Sequence, residues 1–129
     1  MNWLITRHGR RVDLPEPLAG QVHIDDIAAH LSRLPRFAGA TTHSWPVAAH
    51  SLHVASLARR AGASAGVQMA ALLHDAHEAY CSDIPSPFKA AQRCYATGAD
   101  RAETLLQMCV LGHLGSWGTF VNHSDDITR

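Results

Sequence analysis

The chain has 129 residues, 47% of them hydrophobic, and its 11 basic and 11 acidic side chains cancel to a formal net charge of zero. A chain of this size and composition predicts one compact domain with a substantial hydrophobic core. Because the charges balance, no strong overall field would draw the protein to a polynucleotide or to an anionic membrane, and neither partner is expected.

Cysteine usage and apolar runs bear on the cellular compartment. The three cysteines are an odd number without CxxC spacing, which favours a reduced protein over a disulfide scaffold. No apolar run approaches the roughly 18 residues of a membrane-spanning helix, and the N-terminal residues lack the long apolar segment of a signal peptide. A cytoplasmic protein is therefore expected. The unusual count is ten histidines, which directs attention to metal-ligand spacing.

The first third of the chain predicts a hairpin followed by a helix. Residues 3–6 and 11–14 are short β-like runs separated by a glycine-containing turn, and they are expected to pair. Residues 24–34 carry a helical apolar stripe that ends at a proline. Asp25 or Asp26 is interpreted as the N-cap of this helix, a structural role rather than a chemical one.

Two longer helices follow, and the short turn between them predicts that they lie antiparallel. Residues 47–60 form the first, with Gly62 as its stop, and residues 64–80 form the second. His50 lies on the apolar side of the first helix, where a single histidine is usually a core residue. The second helix is apolar until it reaches the polar group that begins at His74-Asp75.

The rest of the chain predicts a loop and two more helices. Residues 81–89 contain two prolines and are expected to form a rigid loop. Asp83 in this loop either makes a local Asx turn or faces the site at the helix end. Residues 100–111 predict an amphipathic helix. Residues 121–129 resemble the start of a last helix, which is expected to be truncated.

The polar end of the second long helix is the centre of the predicted site. Burying an imidazole and a carboxylate together is costly unless a partner such as a divalent cation compensates. His50 lies 24 residues before His74, so antiparallel helices bring it to face His74 and Asp75. Two imidazoles and a carboxylate suit Mn, Co, Ni, Zn or Fe. Candidates for a fourth ligand are Asp100, His123, Asp125 and Asp126.

The order of His50, then His74-Asp75, then a distant aspartate resembles the H…HD…D signature of the HD-domain metal-dependent phosphohydrolases. The surrounding sequence is similar to the branch that contains the bacterial 5′-deoxynucleotidases and, still more, to the short HD proteins of phages and prophages. The blocks that carry the resemblance are Arg36-Phe37 and residues 3–11, 44–51, 72–80 and 82–89.

The resemblance implies one divalent metal ion and a set of ligands for it. His50 and the HD pair, His74-Asp75, match three ligand positions, and Asp125, fifty residues after the pair, matches the fourth. Asp126 is the adjacent alternative, whereas Asp100 comes only 25 residues after the pair. The ion would be Mn, Co, Ni, Zn, Fe or Mg.

The resemblance also implies catalytic and substrate-binding residues. Glu78 and Asp83 match positions that activate or orient the attacking water and assist the leaving group. Arg36 matches an arginine that contacts the substrate phosphate, and Lys89 is expected to add a further positive charge. Since the chain has no basic stripe, the expected substrate is a small nucleotide. The expected reaction is hydrolysis of the 5′-phosphate of a (deoxy)nucleoside monophosphate by a metal-activated water.

Other functions stay open on the sequence alone. A truncated HD domain could serve as a non-catalytic metal-binding, nucleotide-binding or regulatory module. Another nucleotide phosphoester, such as a nucleoside triphosphate, a cyclic dinucleotide or an alarmone, could be the substrate.

The expected architecture is a mainly α, single HD-type domain over residues 1–129. A hairpin or extended arm would occupy residues 1–22, and a helical core of about five helices, the last of them truncated, would occupy residues 24–129. A homodimer is a further expectation, because a second copy would cover the face left open by the short last helix.

Overall fold

A computed structural model describes residues 2–95 and 99–116, with the backbone alone described for residues 94, 95, 99 and 100. The proposed ligand Asp125, its alternatives Asp126 and His123, and the predicted last helix lie outside the described residues, as does the side chain of Asp100. The elements in chain order are β1 Trp3–Ile5, β2 Arg11–Asp13, α1 Ile24–Leu31, α2 Val47–Arg60, α3 Ala65–Leu73, α4 Glu78–Cys81, α5 Ser86–Tyr95 and α6 Ala99–His113. The prediction of a mainly helical fold with a small N-terminal hairpin is confirmed.

The hairpin is antiparallel, with Trp3 opposite Asp13 and Leu4 opposite Val12. The turn between the strands needs a left-handed residue, which Gly9 supplies at φ 79°. Val12 is fully buried, so one face of this two-stranded sheet joins the helical core rather than standing free.

Helix α1 corrects one sequence interpretation. Its N-cap is His23, whose side chain makes no capping bond, so neither Asp25 nor Asp26 caps the helix. Asp26 is instead fully buried and accepts hydrogen bonds from the His8 ring and from Arg10. Both acids lie in the first turn of α1, and their partners lie on the hairpin. That long-range pairing could not be read from local sequence.

Helices α2 and α3 lie side by side, joined by a short turn in which Gly62 adopts φ 77°. Ser64 caps α3 by accepting a hydrogen bond from the Val67 amide. This part of the prediction is confirmed, and it brings the start of α2 to the end of α3.

The predicted helix over residues 64–80 was wrong in its second half. Helix α3 ends at Leu73, and the chain turns before α4 begins at Glu78. Within that turn the amides bond three residues back, as from Ala76 to Leu73 and from Glu78 to Asp75. The ring of His74 contributes to the break, since its Nδ1 lies 2.7 Å from the Ala71 carbonyl and competes for it with the helix ladder.

The predicted loop over residues 81–89 is confirmed for residues 82–85 and was wrong from Ser86 onward, because Ser86–Tyr95 is helix α5. Pro87 lies in its first turn, where the missing N–H is not needed. Helix α6 spans Ala99–His113, slightly longer than predicted, and buries Leu106, Val110 and Leu111 in the main core. In the part of the chain described here, no helix is long and apolar enough to cross a membrane.

Candidate metal centre

Three potential metal ligands converge where α2 meets the end of α3. The Nε2 atoms of His50 and His74 are 3.3 Å apart. Asp75 Oδ2 lies 3.0 Å from His74 Nε2 and 3.4 Å from His50 Nε2. All three side chains are largely buried, with 11–18% of each exposed. We refer to these three atoms as the ligand triangle.

The triangle has the dimensions of a metal-binding set. Ligand atoms about 2.1 Å from an ion lie about 3.0 Å apart at a right angle and about 3.4 Å apart at the tetrahedral angle. The three measured edges span this interval. In addition, the Ala71 carbonyl accepts a hydrogen bond from His74 Nδ1, so Nε2 is the nitrogen of His74 that faces the triangle, an arrangement common for metal-bound histidines. The residues present therefore fit a divalent ion.

The electrostatics of the triangle keep Asp75 ionised. Burial alone would favour the neutral acid, but the hydrogen bond from His74 and the nearby imidazoles hold the pKa of Asp75 below its usual range. Burial and the Arg36 guanidinium lower the pKa of His50, so this imidazole is neutral, as a metal ligand must be.

Glu78 is the buried acid beside the triangle. Its side chain lies in the first turn of α4, the residue is 5% exposed, and its Oε2 has no hydrogen-bond partner among the described residues. Burial, followed by the charges of Asp75 and Asp83, raises the pKa of Glu78 to about 9. Near neutral pH this carboxyl group is protonated in the metal-free protein.

Arg36 and Asp83 face each other across the mouth of the site. Arg36 Nε lies 3.8 Å from Asp83 Oδ2, and Arg36 Nη1 lies 2.9 Å from Nδ1 of His50. Asp83 follows Ser82, whose φ of 73° and ψ of 167° are otherwise almost confined to glycine. Burial raises the pKa of Asp83 and the Arg36 charge opposes it.

One cleft of about 750 Å³ contains every described residue assigned to the site by sequence. Its other walls are mostly apolar and come from Phe37, α2, α3 and the segment of residues 84–87, with His53 and Ser86 as the polar exceptions. The assigned residues that line it are Arg36, His50, His74, Asp75, Glu78, Asp83 and Lys89. The structure thus brings seven of the eight assigned residues together, and the eighth, Asp125, lies outside the described part.

Helix α6 contributes two residues that the sequence did not identify. Gln107 donates a hydrogen bond to the His74 carbonyl at 3.1 Å. Glu103 lies 2.6 Å from the Lys89 ammonium and 3.4 Å from His77 Nε2. A spacing of four between Glu103 and Gln107 places both on one face of the helix, which is the only local signal that this face meets the site.

The family follows from comparison with known proteins. Residues 47–124 match the HD domain family, a stretch that begins with α2 and includes His50, His74 and Asp75. The chain belongs to the HD domain family. HD domains are generally metal-dependent phosphohydrolases that bind divalent metal ions, in agreement with the ligand triangle. The matched stretch ends one residue before Asp125.

Individual relatives are similar to this chain over part of their length. An uncharacterized protein of Rhodobacter capsulatus is 42% identical over 93 residues, and the uncharacterized protein YfdR of Escherichia coli is 37% identical over 89. Each alignment covers 69% of this chain and 47% of the relative, so the chain spans about half the length of these curated relatives. A conserved hypothetical protein from Pyrococcus furiosus has a similar solved structure, with a TM-score of 0.55 and 25% identity over 81% of this chain and 68% of that one.

Proposed function

We propose that this HD domain hydrolyses the 5′-phosphate of a (deoxy)nucleoside monophosphate, as its resemblance to the 5′-deoxynucleotidase branch implies. The observation that carries the proposal is the ligand triangle inside a cleft that also contains Glu78, Asp83 and Arg36. A carboxyl group beside a divalent-ion site and a guanidinium at its mouth are the groups that phosphate ester hydrolysis requires.

The ion would be held by His50, His74 and Asp75, with Asp125 proposed as the fourth ligand. When bound, a divalent ion supplies Lewis-acid stabilisation of phosphate charge and lowers the pKa of water. Glu78 would hold the proton of the attacking water, and its position in α4 places it beside Asp75. Asp83 would orient the water or return a proton to the leaving 5′-oxygen.

Arg36 would change partners when the site is loaded. A guanidinium only donates hydrogen bonds, so in the present contact His50 Nδ1 is the acceptor. A His50 that binds an ion through Nε2 carries its proton on Nδ1 and has no acceptor to offer. Arg36 is therefore released toward the cleft, where its paired N–H groups can bind the phosphate.

The size and lining of the cleft favour a small nucleotide. Its volume of about 750 Å³ lies within the range of about 300–1,000 Å³ typical for small-molecule sites. Besides the polar groups of the site, the cleft is lined by apolar residues such as Val54, Leu57 and Pro85, which are available to the nucleoside. Lys89 lines the same cleft and supplies a second positive charge, although Glu103 holds its ammonium at 2.6 Å.

Phosphate release tests the proposal directly. The full chain, loaded with Mn or Co, is incubated with a panel of ribo- and deoxynucleoside monophosphates, with nucleoside triphosphates, a cyclic dinucleotide and an alarmone as further arms. The expected result is release of inorganic phosphate from monophosphates by the wild type and a loss of at least about 100-fold in kcat for Glu78→Gln, in keeping with the size of general acid–base effects.

Metal content separates the enzyme from a non-catalytic domain. Glu78→Gln should retain its metal, because Glu78 is not a corner of the ligand triangle. If wild type and Glu78→Gln hold metal equally and neither hydrolyses any nucleotide of the panel, the hydrolase proposal fails and a binding or regulatory role replaces it. Activity confined to the nucleoside triphosphates, the cyclic dinucleotide or the alarmone would overturn only the assignment of a monophosphate substrate.

A further inference from the structure

A second group of potential metal ligands lies on the other side of Glu78. His77, Cys81 and Glu103 each offer one ligand atom, and these three atoms all lie within 4.8 Å of one another. His77 and Cys81 are four residues apart, at the two ends of the short helix α4, so their side chains share a face. Glu103 reaches the pair from α6. No atom of this group belongs to the ligand triangle.

His77 contacts Glu103 through one ring nitrogen, and its other ring nitrogen has no hydrogen-bond partner among the described residues. The residue is 4% exposed, its Nε2 lies 3.4 Å from Glu103 Oε1, and its buried Nδ1 has no hydrogen-bond partner among the described residues. Leaving such a nitrogen unpaired costs about 1–3 kcal/mol. The ring therefore offers more ligand capacity than its protein neighbours satisfy.

Cys81 adds a sulfur atom to the group. Among the described residues, its Sγ lies 3.6 Å from the carbonyl oxygens of His77 and Ser82. Burial, together with the charges of Glu103 and Glu78, raises the pKa of the Cys81 thiol to about 12. A divalent cation would reverse this effect, because a coordinating thiol loses its proton to the metal.

The space beside the group is polar and accessible. A cavity of about 250 Å³ is lined by His77 and Glu103 and reaches Asp75 and Glu78 of the first site. This volume is ample for an ion and a water molecule, since a water occupies about 30 Å³ in the liquid. The carboxylates of Asp75 and Glu103 favour a cation there, whereas Lys89 and Arg93 line the same cavity as positive charges. A bound cation would have to share Glu103 with the Lys89 ammonium, which lies 2.6 Å from it.

We propose that His77, Cys81 and Glu103 form a second metal site, specific for a borderline-soft divalent ion such as Zn²⁺ or Co²⁺. The nitrogen, sulfur and oxygen donors are the set that these ions prefer. The 3.4 Å separation of His77 and Glu103 is the edge expected for a tetrahedral site. Because the ligands come from α4 and α6, the bound ion would fasten α6 to the helix that carries Glu78.

Cobalt spectroscopy distinguishes this site from the first. The ligand triangle contains no sulfur, so a thiolate-to-cobalt charge-transfer band in the ultraviolet reports the second site alone. Reduced, metal-free full-length protein is titrated with Co²⁺ while absorbance and bound metal are measured. The wild type and Cys109→Ser should both show the band, and Cys81→Ser should lose it and bind one cobalt fewer. Cys109 is a matched control because it is a half-buried free thiol on α6.

Two further variants test the remaining ligands and the independence of the sites. Glu103→Gln should weaken cobalt binding at the thiolate site by at least about 10-fold, the smallest effect expected even for a partner of a ligand. His50→Ala should keep the band, since it disables only the first site. Zinc should also protect Cys81 from alkylation in the wild type. This assay uses no variant, so its result does not depend on whether a variant folds.

The outcomes decide the proposal in either direction. A charge-transfer band that disappears only with Cys81, joined by zinc protection of that thiol, establishes the site. Absence of the band at saturating cobalt, or its persistence in Cys81→Ser, overturns the assignment whatever the activity of the first site.

Discussion

Glu78 combines burial, a raised pKa and a position next to a metal-ligand set. Carboxyl groups in catalysis gain from such an environment because a pKa moved toward the working pH lets one group both take up and release a proton. In the metal-free protein the same environment is a cost, since folding must either keep Glu78 protonated or bury its charge.

This cost predicts a pH-dependent stability difference between wild type and Glu78→Gln. The pKa of Glu78 is raised to about 9 in the folded state, so the folded protein holds a proton that the unfolded chain has released. The wild type therefore loses stability as the pH rises above the usual glutamate pKa, whereas glutamine has no proton to lose. Between about pH 5 and pH 8 the free energy of unfolding of the variant should rise relative to that of the wild type by up to about 4 kcal/mol.

The measurement is urea unfolding of metal-free protein at several pH values, with the difference between the two proteins plotted against pH. Taking the difference removes the contribution of the groups that titrate independently of Glu78. A difference that is flat with pH would mean that Glu78 is ionised in the folded state, contrary to its burial.

At the level of elements, the junction between α4 and α5 is held in an unfavourable conformation. Ser82 occupies φ 73° and ψ 167°, a region that costs a non-glycine residue about 1–3 kcal/mol. The next residue is Asp83, so the strain fixes the direction in which this acid enters the cleft.

Ser82→Gly should therefore stabilise the fold while loosening the site. Relief of strain exceeds the extra chain entropy of glycine, and the expected gain in the free energy of unfolding is about 1 kcal/mol. Ser56→Gly is the control: Ser56 lies within α2 at an ordinary helical position, where glycine should cost about 0.5 kcal/mol. Denaturant unfolding of both variants checks the opposite signs, and destabilisation by Ser82→Gly would show that the conformation is not strained.

The convergence of His50 with His74 was predictable because it depends on a short turn between two amphipathic helices. The break after Leu73 was not, because residues 74–77 contain no glycine or proline to mark a turn and only the backbone hydrogen bonds change. Helix α5 was missed since prolines interrupt a helix but are tolerated in its first turn. Glu103 is 26 residues from its partner His77, a pairing between distant segments that no local pattern encodes.

On the scale of the whole molecule, the hairpin is attached to the helices through Asp26. This carboxylate is fully buried and accepts hydrogen bonds from Arg10, the His8 ring and the His8 amide. Burial opposes its charge, but the hydrogen bonds from His8, Arg10 and Thr6 hold the pKa of Asp26 well below its usual range. Asp25 meets the same arginine from a half-exposed position.

Asp26→Asn should consequently destabilise the fold far more than Asp25→Asn. Removing the charge that these donors share should cost about 1.5–3 kcal/mol at neutral pH, whereas an exposed ion pair contributes little. The depressed pKa of Asp26 means that its contribution is present above the usual aspartate pKa and is lost as the pH falls below it. Thermal unfolding of the two variants at neutral and acidic pH checks both statements; equal effects at neutral pH would remove Asp26 from this role.

Metal binding should stabilise the whole domain, because the ligand triangle joins α2 to the end of α3 only in the folded state. An ion that binds the folded chain alone, at about 100 times its dissociation constant, adds about 2.7 kcal/mol, or roughly 10 °C in Tm for a domain of this size. Manganese is the suitable probe, since its preference for oxygen and nitrogen ligands separates this site from the thiolate-containing one.

His50→Ala should abolish most of the manganese-induced rise in Tm, while His53→Ala should retain it. His53 is the matched control, because it lies one turn further along α2 and lines the same cleft without reaching the triangle. The test is thermal unfolding of chelator-treated protein with and without manganese, alongside the metal content of each variant. Equal shifts in the two variants would place the ion elsewhere, and no shift in the wild type would contradict the fit of the triangle to a divalent ion.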